Sequence, residues 1–263
     1  MKILAVTRAE KFSPNSVDKD KAILLAAASL LSDNVAVTDE DNIPTHTDCN
    51  VCLSMARETA NLDKLALLEV ADGLKVVNNP FSVKACTRSI IENIMHQIHT
   101  PLAPQQGSDG YWIKRGDMAA QVKGDVKYCK DEAELDKAKS QFAENGITDY
   151  VVSAHVVGDL VKWYAVEGGF FRYYYPSDDG KTKFDDEAQN GNAHHYPFDV
   201  EALRRETEKV AHTIGITVYG GDAIVRADGS FCIIDFNDWP SFSRCRTEAA
   251  QAIANYIRTK MKK

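Results

Sequence analysis

Short apolar runs alternate with longer helical patterns through the first third of the chain, and this alternation is the feature that most constrains its fold. The runs interpreted in turn as strand, helix, strand, helix and strand lie at residues 2–6, 18–31, 51–55, 61–70 and 74–78. Strands and helices that alternate in this way build parallel βαβ units. Residues 1–80 are therefore predicted to form a small doubly wound α/β lobe.

The middle of the chain, residues 81–156, predicts a second lobe of mixed α and β structure. It begins with a helical pattern over residues 82–98, which two prolines at 101 and 104 bring to an end. Three strands and one charged helix are then predicted at 111–114, 126–128, 150–155 and 131–144.

The last part, residues 157–263, is richer in antiparallel signals and predicts a third lobe. Gly168 and Gly169 separate two apolar runs and predict a hairpin turn. The polar segment 178–195 is interpreted as a loop. The remaining helix, strands and closing helix are predicted at 198–214, 217–225, 231–235 and 248–261.

Composition narrows the choice of partners. The 263 residues carry a formal net charge of −7, and the pI is about 5.5, so a broad basic face for nucleic acid is not expected. The longest apolar stretch, residues 23–31, is too short to span a bilayer, and the first residues are too short an apolar run for a signal peptide. We expect a cytoplasmic protein without membrane or nucleic-acid partners.

The segment from Tyr219 to Pro240 contains the residues that most clearly indicate chemistry. Alternate side chains of a strand share a face, so Asp235 and Asn237 point the same way. A hairpin through the turn before that strand would bring Asp222 beside them and give three hard oxygen donors, as Mg²⁺ prefers. The alternative is that Asp235 and Asn237 only end a strand and cap the next turn.

This segment resembles the final strand pair of ATP-grasp enzymes, in which an acidic residue follows a Gly-rich strand start and a D-x-N-x-x-P-G-like stretch closes the site. The resemblance implies an ATP-grasp fold that binds ATP and Mg²⁺, with the metal held by Asp222, Asp235 and Asn237. Ser241 stands where that pattern usually has glycine.

The resemblance extends upstream to residue 76 and implies residues that bind ATP. Arg88 falls where the family has a basic residue that touches phosphate, and Lys114 falls on the strand that carries its ATP-binding lysine. His155 and Val156 match the hinge strand, where backbone groups read the edge of adenine. Arg88 on a solvated helix face and His155 as a structural histidine are the competing interpretations.

Two further basic residues follow the hinge. Lys162 resembles a phosphate-facing basic residue, and Arg172 lies near an arginine that stabilises charge on the transferred phosphoryl group. Both could instead be exposed strand residues.

Three arginines are candidates for binding an acidic substrate. Arg244 and Arg246 follow the metal strand and could clamp a carboxylate by two hydrogen bonds, or be helix-entry charges. Arg8 immediately follows the first strand, and ligands of open α/β sheets lie at the carboxyl ends of strands.

The function that the resemblance implies is an ATP-dependent ligase, which activates a small carboxylic acid as an acyl phosphate for attack by an amine or a thiol. Two other functions stay open. One is a small-molecule kinase of the same fold, similar to inositol phosphate kinases, and the other is a nucleotide-binding module without turnover. Ala154 stands where many family members have an acidic residue, and the loop after Lys114 is poor in glycine. Both features favour the nucleotide-binding module without turnover.

Overall fold

Three β-sheets organise the computed structural model, which describes residues 1–14, 16–118, 122–179 and 189–261. The first sheet is parallel, and the other two are antiparallel. The predicted mixed α/β architecture with a doubly wound first lobe is confirmed.

The N-terminal sheet has the strand order β2-β1-β3-β4. Its elements are β1 (Ile3–Thr7), α1 (Val17–Leu31), β2 (Val35–Asp39), β3 (Val51–Ser54), α2 (Thr59–Asp72) and β4 (Lys75–Val77). Strand β2 was not predicted from the sequence. It is an edge strand, and Ala36 and Val37 on it are exposed, so it lacks the buried run that marks β1 and β3.

The single helix predicted over residues 82–98 is wrong, because two helices occupy this region. Helix α3 (Pro80–Lys84) is capped by Asn79, whose side-chain oxygen accepts from the backbone N–H groups of Phe81 and Ser82. Ala85 caps its other end. Thr87 is extended and starts helix α4 (Arg88–Gln97). The break makes Arg88 the first residue of a helix rather than a mid-helix surface residue.

The central sheet has the order β6-β5-β7 and carries one helix. Its elements are β5 (Tyr111–Arg115), β6 (Val126–Cys129), α5 (Glu132–Glu144) and β7 (Tyr150–Ala154). Helix α5 packs on the face that carries Tyr111 and Ile113, and together they form a separate small core. Lys114 and its partner on β7, Val151, lie on the opposite face.

The C-terminal sheet has the order β11-β10-β8-β9. Its elements are β8 (Asp159–Val166), β9 (Phe170–Tyr174), α6 (Val200–Ile214), β10 (Val218–Val225), β11 (Phe231–Asp238) and α7 (Arg246–Met261). Gly168 and Gly169 have φ angles of 103° and 102° and connect β8 to β9, which confirms the predicted hairpin. Much of the predicted loop 178–195 lies outside the described residues.

The N-terminal and C-terminal sheets share their cores, whereas the central sheet does not. Helices α1 and α7 pack against each other, and one cluster joins Ile3 and Leu53 of the first sheet to Tyr164 and Trp239 of the last. The predicted lobe boundaries, after residues 80 and 156, lie at the start of α3 and between β7 and β8. None of the helices in the described ranges combines the length and apolar character needed to cross a bilayer.

Candidate active site

The predicted oxygen donors meet where strands β10 and β11 run side by side. Asp222 lies directly opposite Asp235 in the antiparallel register, and a β-bulge follows Asp222. Asn237 shares a face of β11 with Asp235, and its Nδ2 donates to Asp235 Oδ2 over 3.0 Å. The hairpin predicted to join these residues is therefore confirmed. We refer to Asp222, Asp235 and Asn237, the predicted metal ligands, as the metal patch.

Two glycines allow the strands around the patch to approach closely. A Cβ on Gly221 would lie 2.1 Å from the carbonyl oxygen of Asp235 and 2.6 Å from Trp163 Cζ2. A Cβ on Gly220 would lie 2.8 Å from Pro240 Cγ. Only a residue without a side chain fits there, which explains the glycine pair immediately before Asp222.

Cations from two other elements lie against the patch. Lys162 stands opposite Asp222 on β8, and its Nζ lies 2.8 Å from Asp222 Oδ1. Arg88, at the start of α4, places its Nε 3.7 Å from Asp235 Oδ1, and its Nη1 donates to the carbonyl oxygen of Arg115. Each carboxylate of the patch therefore has a cation of its own.

Lys114 approaches the patch from the central sheet. Its Nζ donates to the carbonyl oxygen of Ile234 over 3.0 Å. Burial lowers the pKa of the Lys114 ammonium, an effect that the nearby charge of Asp235 opposes. Burial acts to raise the pKa of Asp235, but Arg88, Lys114 and the amide of Asn237 outweigh it and leave the pKa below its ordinary value. Asp235 is therefore ionised at neutral pH.

The donor set of the patch fits a hard divalent cation. Two carboxylates and an amide are oxygen ligands, and Mg²⁺ completes its octahedron with water and phosphate oxygens. The amide nitrogen of Asn237 is used by Asp235, which leaves the amide oxygen as an acceptor. No group of three or more His, Cys, Asp or Glu side chains in the described ranges could hold a metal ion, so a metal here would rely on the amide and on ligands from outside the chain.

Two cavities meet at the patch, a cleft of about 1060 Å³ and an apolar crevice of about 40 Å³. Arg88, Asp235 and Phe236 line both of them. The crevice runs between the central sheet, α4 and β11, and its apolar walls come from Ile91, Met95, Leu102, Ala103, Val151 and Ile233. The cleft runs from Lys162 to the loops that follow β1 and β3.

The arrangement of three sheets is shared with solved structures. A RimK domain ATP-grasp protein from Sphaerobacter thermophilus has a TM-score of 0.65 at 13% identity, over 97% of this chain and 99% of that one. D-alanyl-alanine synthetase A from Vibrio cholerae has a TM-score of 0.64 at 10% identity over the same shares. The D-cycloserine synthetase DcsG has a TM-score of 0.63 at 12% identity, again over 97% and 99%.

The chain has the ATP-grasp fold. Scans against protein-family models and against curated proteins found no match. At identities of 10% to 13% the likeness to solved structures establishes the fold and leaves the substrate open.

The predicted hinge leads from β7 to β8. The backbone N–H of His155 donates to the carbonyl oxygen of Gly110 over 2.8 Å. The ring Nδ1 of His155 accepts from Trp112 Nε1 over 3.1 Å. Burial lowers the pKa of His155, so its ring stays neutral. Val156 packs into a small apolar cluster. Of the groups predicted to read adenine, the His155 N–H is therefore already engaged.

The arginines predicted near the metal strand lie in different places. Arg172 lies on the edge strand β9, where its Nη2 is 2.5 Å from Glu248 Oε2, and it does not line the cleft. Arg246, at the start of α7, does not line it either. Arg244 does, and it donates to the carbonyl oxygen of Tyr175 and pairs with Asp179. The structure therefore brings Arg244 to the cleft and leaves Arg172 and Arg246 outside it.

Arg8 lies in the cleft wall, but neighbouring groups already hold its guanidinium. Nη1 donates to Asp20 Oδ2 and Nη2 to the carbonyl oxygen of Trp239, each over 3.0 Å, and Asp238 Oδ2 is 4.0 Å away. Burial lowers the pKa of Arg8 to about 10, with the charge of Arg57 acting in the same direction. These contacts hold Arg8 between the N-terminal and C-terminal lobes, and its binding of an acid stays a prediction.

A second arginine in the cleft wall, Arg57, was not predicted from the sequence. Its Nη2 lies 2.6 Å from Asp238 Oδ1 and also donates to the backbone carbonyl of Asp238 over 3.3 Å. The sequence pattern could have indicated Arg57, because it follows β3 as Arg8 follows β1, and parallel strands end at the same edge of a sheet. We refer to Arg8, Asp20, Arg57 and Asp238 as the arginine cluster.

Proposed function

We propose that the chain is an ATP-dependent ligase that activates a small carboxylic acid as an acyl phosphate, which an amine or a thiol then attacks. The observation that carries the proposal is the metal patch with Arg88, Lys114 and Lys162 around it, at the junction of an apolar crevice and a large polar cleft. The likeness to proteins named as ligases and synthetases supports the same reaction class.

The crevice is suited to the base of ATP, and the patch to its phosphates. Apolar side chains line the crevice on both the central and the C-terminal side, which suits a planar ring. At about 40 Å³ it is smaller than a purine, so binding would require the central sheet to move outward. Lys114 would then leave the carbonyl oxygen of Ile234, and its ammonium would be available for phosphate.

Asp222, Asp235 and Asn237 would hold Mg²⁺. Bound there, the ion supplies charge neutralisation for the phosphate oxygens and helps to orient them. The protein's own part is electrostatic: Arg88 and Lys162 already lie beside the carboxylates of the patch, and Lys114 would join them once it is released from Ile234, so cations face the phosphates where negative charge develops.

The acid would lie in the cleft beside Arg244. A carboxylate oxygen attacks the γ-phosphorus of ATP, the bond from that phosphorus to the bridging oxygen breaks, and ADP leaves. The amine or thiol then attacks the acyl carbon and loses its proton, and the carbon–oxygen bond breaks to release inorganic phosphate. Arg172 lies outside the cleft, so we assign the stabilisation of charge on the transferred phosphoryl group to Lys162 and Arg244.

ADP release tests the proposal, measured against a panel of carboxylic acids with ATP, Mg²⁺ and hydroxylamine as a general nucleophile. A ligase of this kind would release ADP with one class of acid and form the corresponding hydroxamate, which traps an acyl phosphate. ADP release with a stable phosphorylated product and no hydroxamate would instead indicate the kinase. Nucleotide binding with no turnover on any substrate of the panel would indicate the binding module.

A further inference from the structure

The wall of the cleft differs in charge from the rest of the chain. Among the described residues, eight basic and six acidic side chains line the cleft, in a chain whose formal net charge is −7. Several of the basic groups stand on the N-terminal wall of the cleft, and they include Lys11, Lys19 and Arg57. A cleft that is basic within an acidic protein favours an anionic ligand.

The two guanidinium groups of the arginine cluster have unequal numbers of partners. Arg8 is held on three sides, and its side chain is only 7% exposed. Arg57 is 17% exposed, and in the described ranges all of its side-chain hydrogen bonds come from Nη2 and go to Asp238. Its Nε is buried without a partner. A guanidinium has five N–H donors, so Arg57 keeps donors to spare.

The loop that carries Arg57 is held in place by a buried carboxylate. Glu40, which is fully buried, accepts from the backbone N–H groups of Arg57 and Glu58 over 2.9 and 3.0 Å. Its other oxygen accepts from the N–H of Ala9 over 2.5 Å, which ties the loop after β1 to the loop after β3. Arg57 is thus presented to the cleft from a rigid backbone, as a binding group requires.

Arg57 also lies close to the site of the reaction. Burial acts to lower its pKa, but the charges of Asp238, Asp20 and Asp235 outweigh this and raise it overall. Arg57 lines the same cleft as Asp235 and Asn237 of the metal patch, so one small molecule in the cleft can lie against both.

We propose that Arg57 determines specificity by binding a second anionic group of the substrate, a carboxylate or a phosphate that is not the group activated by ATP. The inference rests on the proposed function, because it assigns the class of its substrate: a small acid with two anionic groups. The second anion is unchanged in charge through the reaction. Arg57 would therefore bind the ground state and the transition state alike and would act on KM rather than on kcat.

Direct binding tests this inference without turnover. We would titrate the full chain, without nucleotide, by calorimetry with the dicarboxylates from malonate to adipate, with 3-phosphonopropionate and with butyrate. The wild type is expected to bind one of the dianions, and to bind it more tightly than butyrate. Preference for 3-phosphonopropionate over the dicarboxylates would identify phosphate as the second group, and the reverse preference would identify carboxylate.

The variants Arg57→Gln and Arg57→Lys complete the test. Arg57→Gln is expected to weaken binding of the preferred dianion about 10- to 100-fold, the usual range for a hydrogen bond to a charged group. Arg57→Lys keeps a charge beside Asp238 but loses the planar fork, so an intermediate loss is expected even if Arg57→Gln proves unstable. Arg205→Gln removes an exposed guanidinium on α6 and is the matched control, with binding unchanged.

Two results would overturn the inference: no dianion of the series binds the wild type, or Arg57→Gln and Arg57→Lys both bind the preferred dianion as the wild type does. Neither result bears on ATP binding. Failure of the proposed function would appear instead as absent ADP release with every acid of the panel, whatever the outcome of the dianion titrations.

Discussion

The metal patch and the arginine cluster are both groups of charged side chains on the cleft, yet they are built in opposite ways. The patch comes from two adjacent strands, within sixteen residues of sequence, and its carboxylates are partly exposed. The cluster gathers Arg8, Asp20, Arg57 and Asp238 from the first and last lobes, and three of its four side chains are at most 7% exposed. The patch borders the cleft with partly exposed carboxylates, whereas most of the cluster is buried between two lobes.

The arginine cluster and the metal patch differ in how their positive and negative side chains are paired. In the cluster, each carboxylate is paired with a guanidinium, and both carboxylates are at most 5% exposed. In the patch, cations outnumber carboxylates, since Arg88, Lys114 and Lys162 face Asp222 and Asp235. An excess of positive charge suits phosphate, so removing a group should cost stability in the cluster and activity in the patch.

The largest effect is expected from Asp238→Ala in the arginine cluster. It would leave Arg57 without a partner and Arg8 with one carboxylate fewer, in a buried site. Loss of one partner of a buried ion pair costs about 3–5 kcal/mol of unfolding free energy, which denaturant titration would measure. Asp136→Ala, at an exposed ion pair, is the control and should change the free energy by no more than about 1 kcal/mol. Similar losses for the two variants would contradict the buried role of Asp238.

Asp235→Asn in the metal patch should show the reverse behaviour. ADP release is expected to fall at least about 100-fold, since a bound metal supplies several kcal/mol of charge stabilisation in the transition state. The melting temperature should fall by less than in Asp238→Ala, because the Asp235 side chain is 24% exposed and that of Asp238 is 4% exposed, although the change leaves less negative charge beside Arg88 and Lys114. If Asp235→Asn unfolded the chain while the molecules that remain folded kept their activity, the assignment of activity to the patch would be contradicted.

Lys114→Met should have a smaller effect, confined to ATP. Its ammonium is buried and bonded to a carbonyl oxygen, so methionine fits the space, and the loss is one phosphate contact. The KM for ATP is expected to rise about 10- to 100-fold, as for a hydrogen bond to a charged group. Steady-state kinetics at varied ATP would measure it. Arg115→Gln, the neighbouring residue with an exposed partner in Asp117, should leave the KM unchanged.

The smallest effect is expected in the pH dependence of the melting temperature, through His155 at the hinge. Burial lowers the folded-state pKa of His155 from its ordinary 6.5, so the unfolded chain binds the proton more readily. The stability that neutral His155 contributes is present above pH 6.5 and is lost as pH falls from there through the lowered pKa. The melting temperature of the wild type should therefore drop more between pH 7 and pH 5 than that of His155→Gln. Parallel curves would show that His155 is not responsible.

Local patterns predicted the parts of the fold and site that depend on neighbours in sequence. Strand alternation placed Asp235 and Asn237 on one face, and a hairpin turn brought Asp222 opposite, as the structure has them. The break between α3 and α4 was missed because an extended Thr87 interrupts a region whose composition favours helix.

Contacts between distant segments could not be predicted in this way. Arg8 looked available because it follows a strand, and nothing near it in sequence shows that Trp239 and Asp238 fold back onto it. Arg172 matched a family position by order along the chain, but β9 is an edge strand, and Glu248 of α7 lies against it. The metal and substrate roles themselves stay predictions until a ligand is measured.

Calorimetry of ATP binding, with and without Mg²⁺, tests the central claim most directly when the wild type is compared with Asp235→Asn. The metal patch predicts that Mg²⁺ tightens ATP binding to the wild type at least about tenfold, and that this gain is lost in the variant. Arg205→Gln should behave as the wild type does. Absence of ATP binding to the wild type, or binding that is indifferent to Mg²⁺, would contradict the claim.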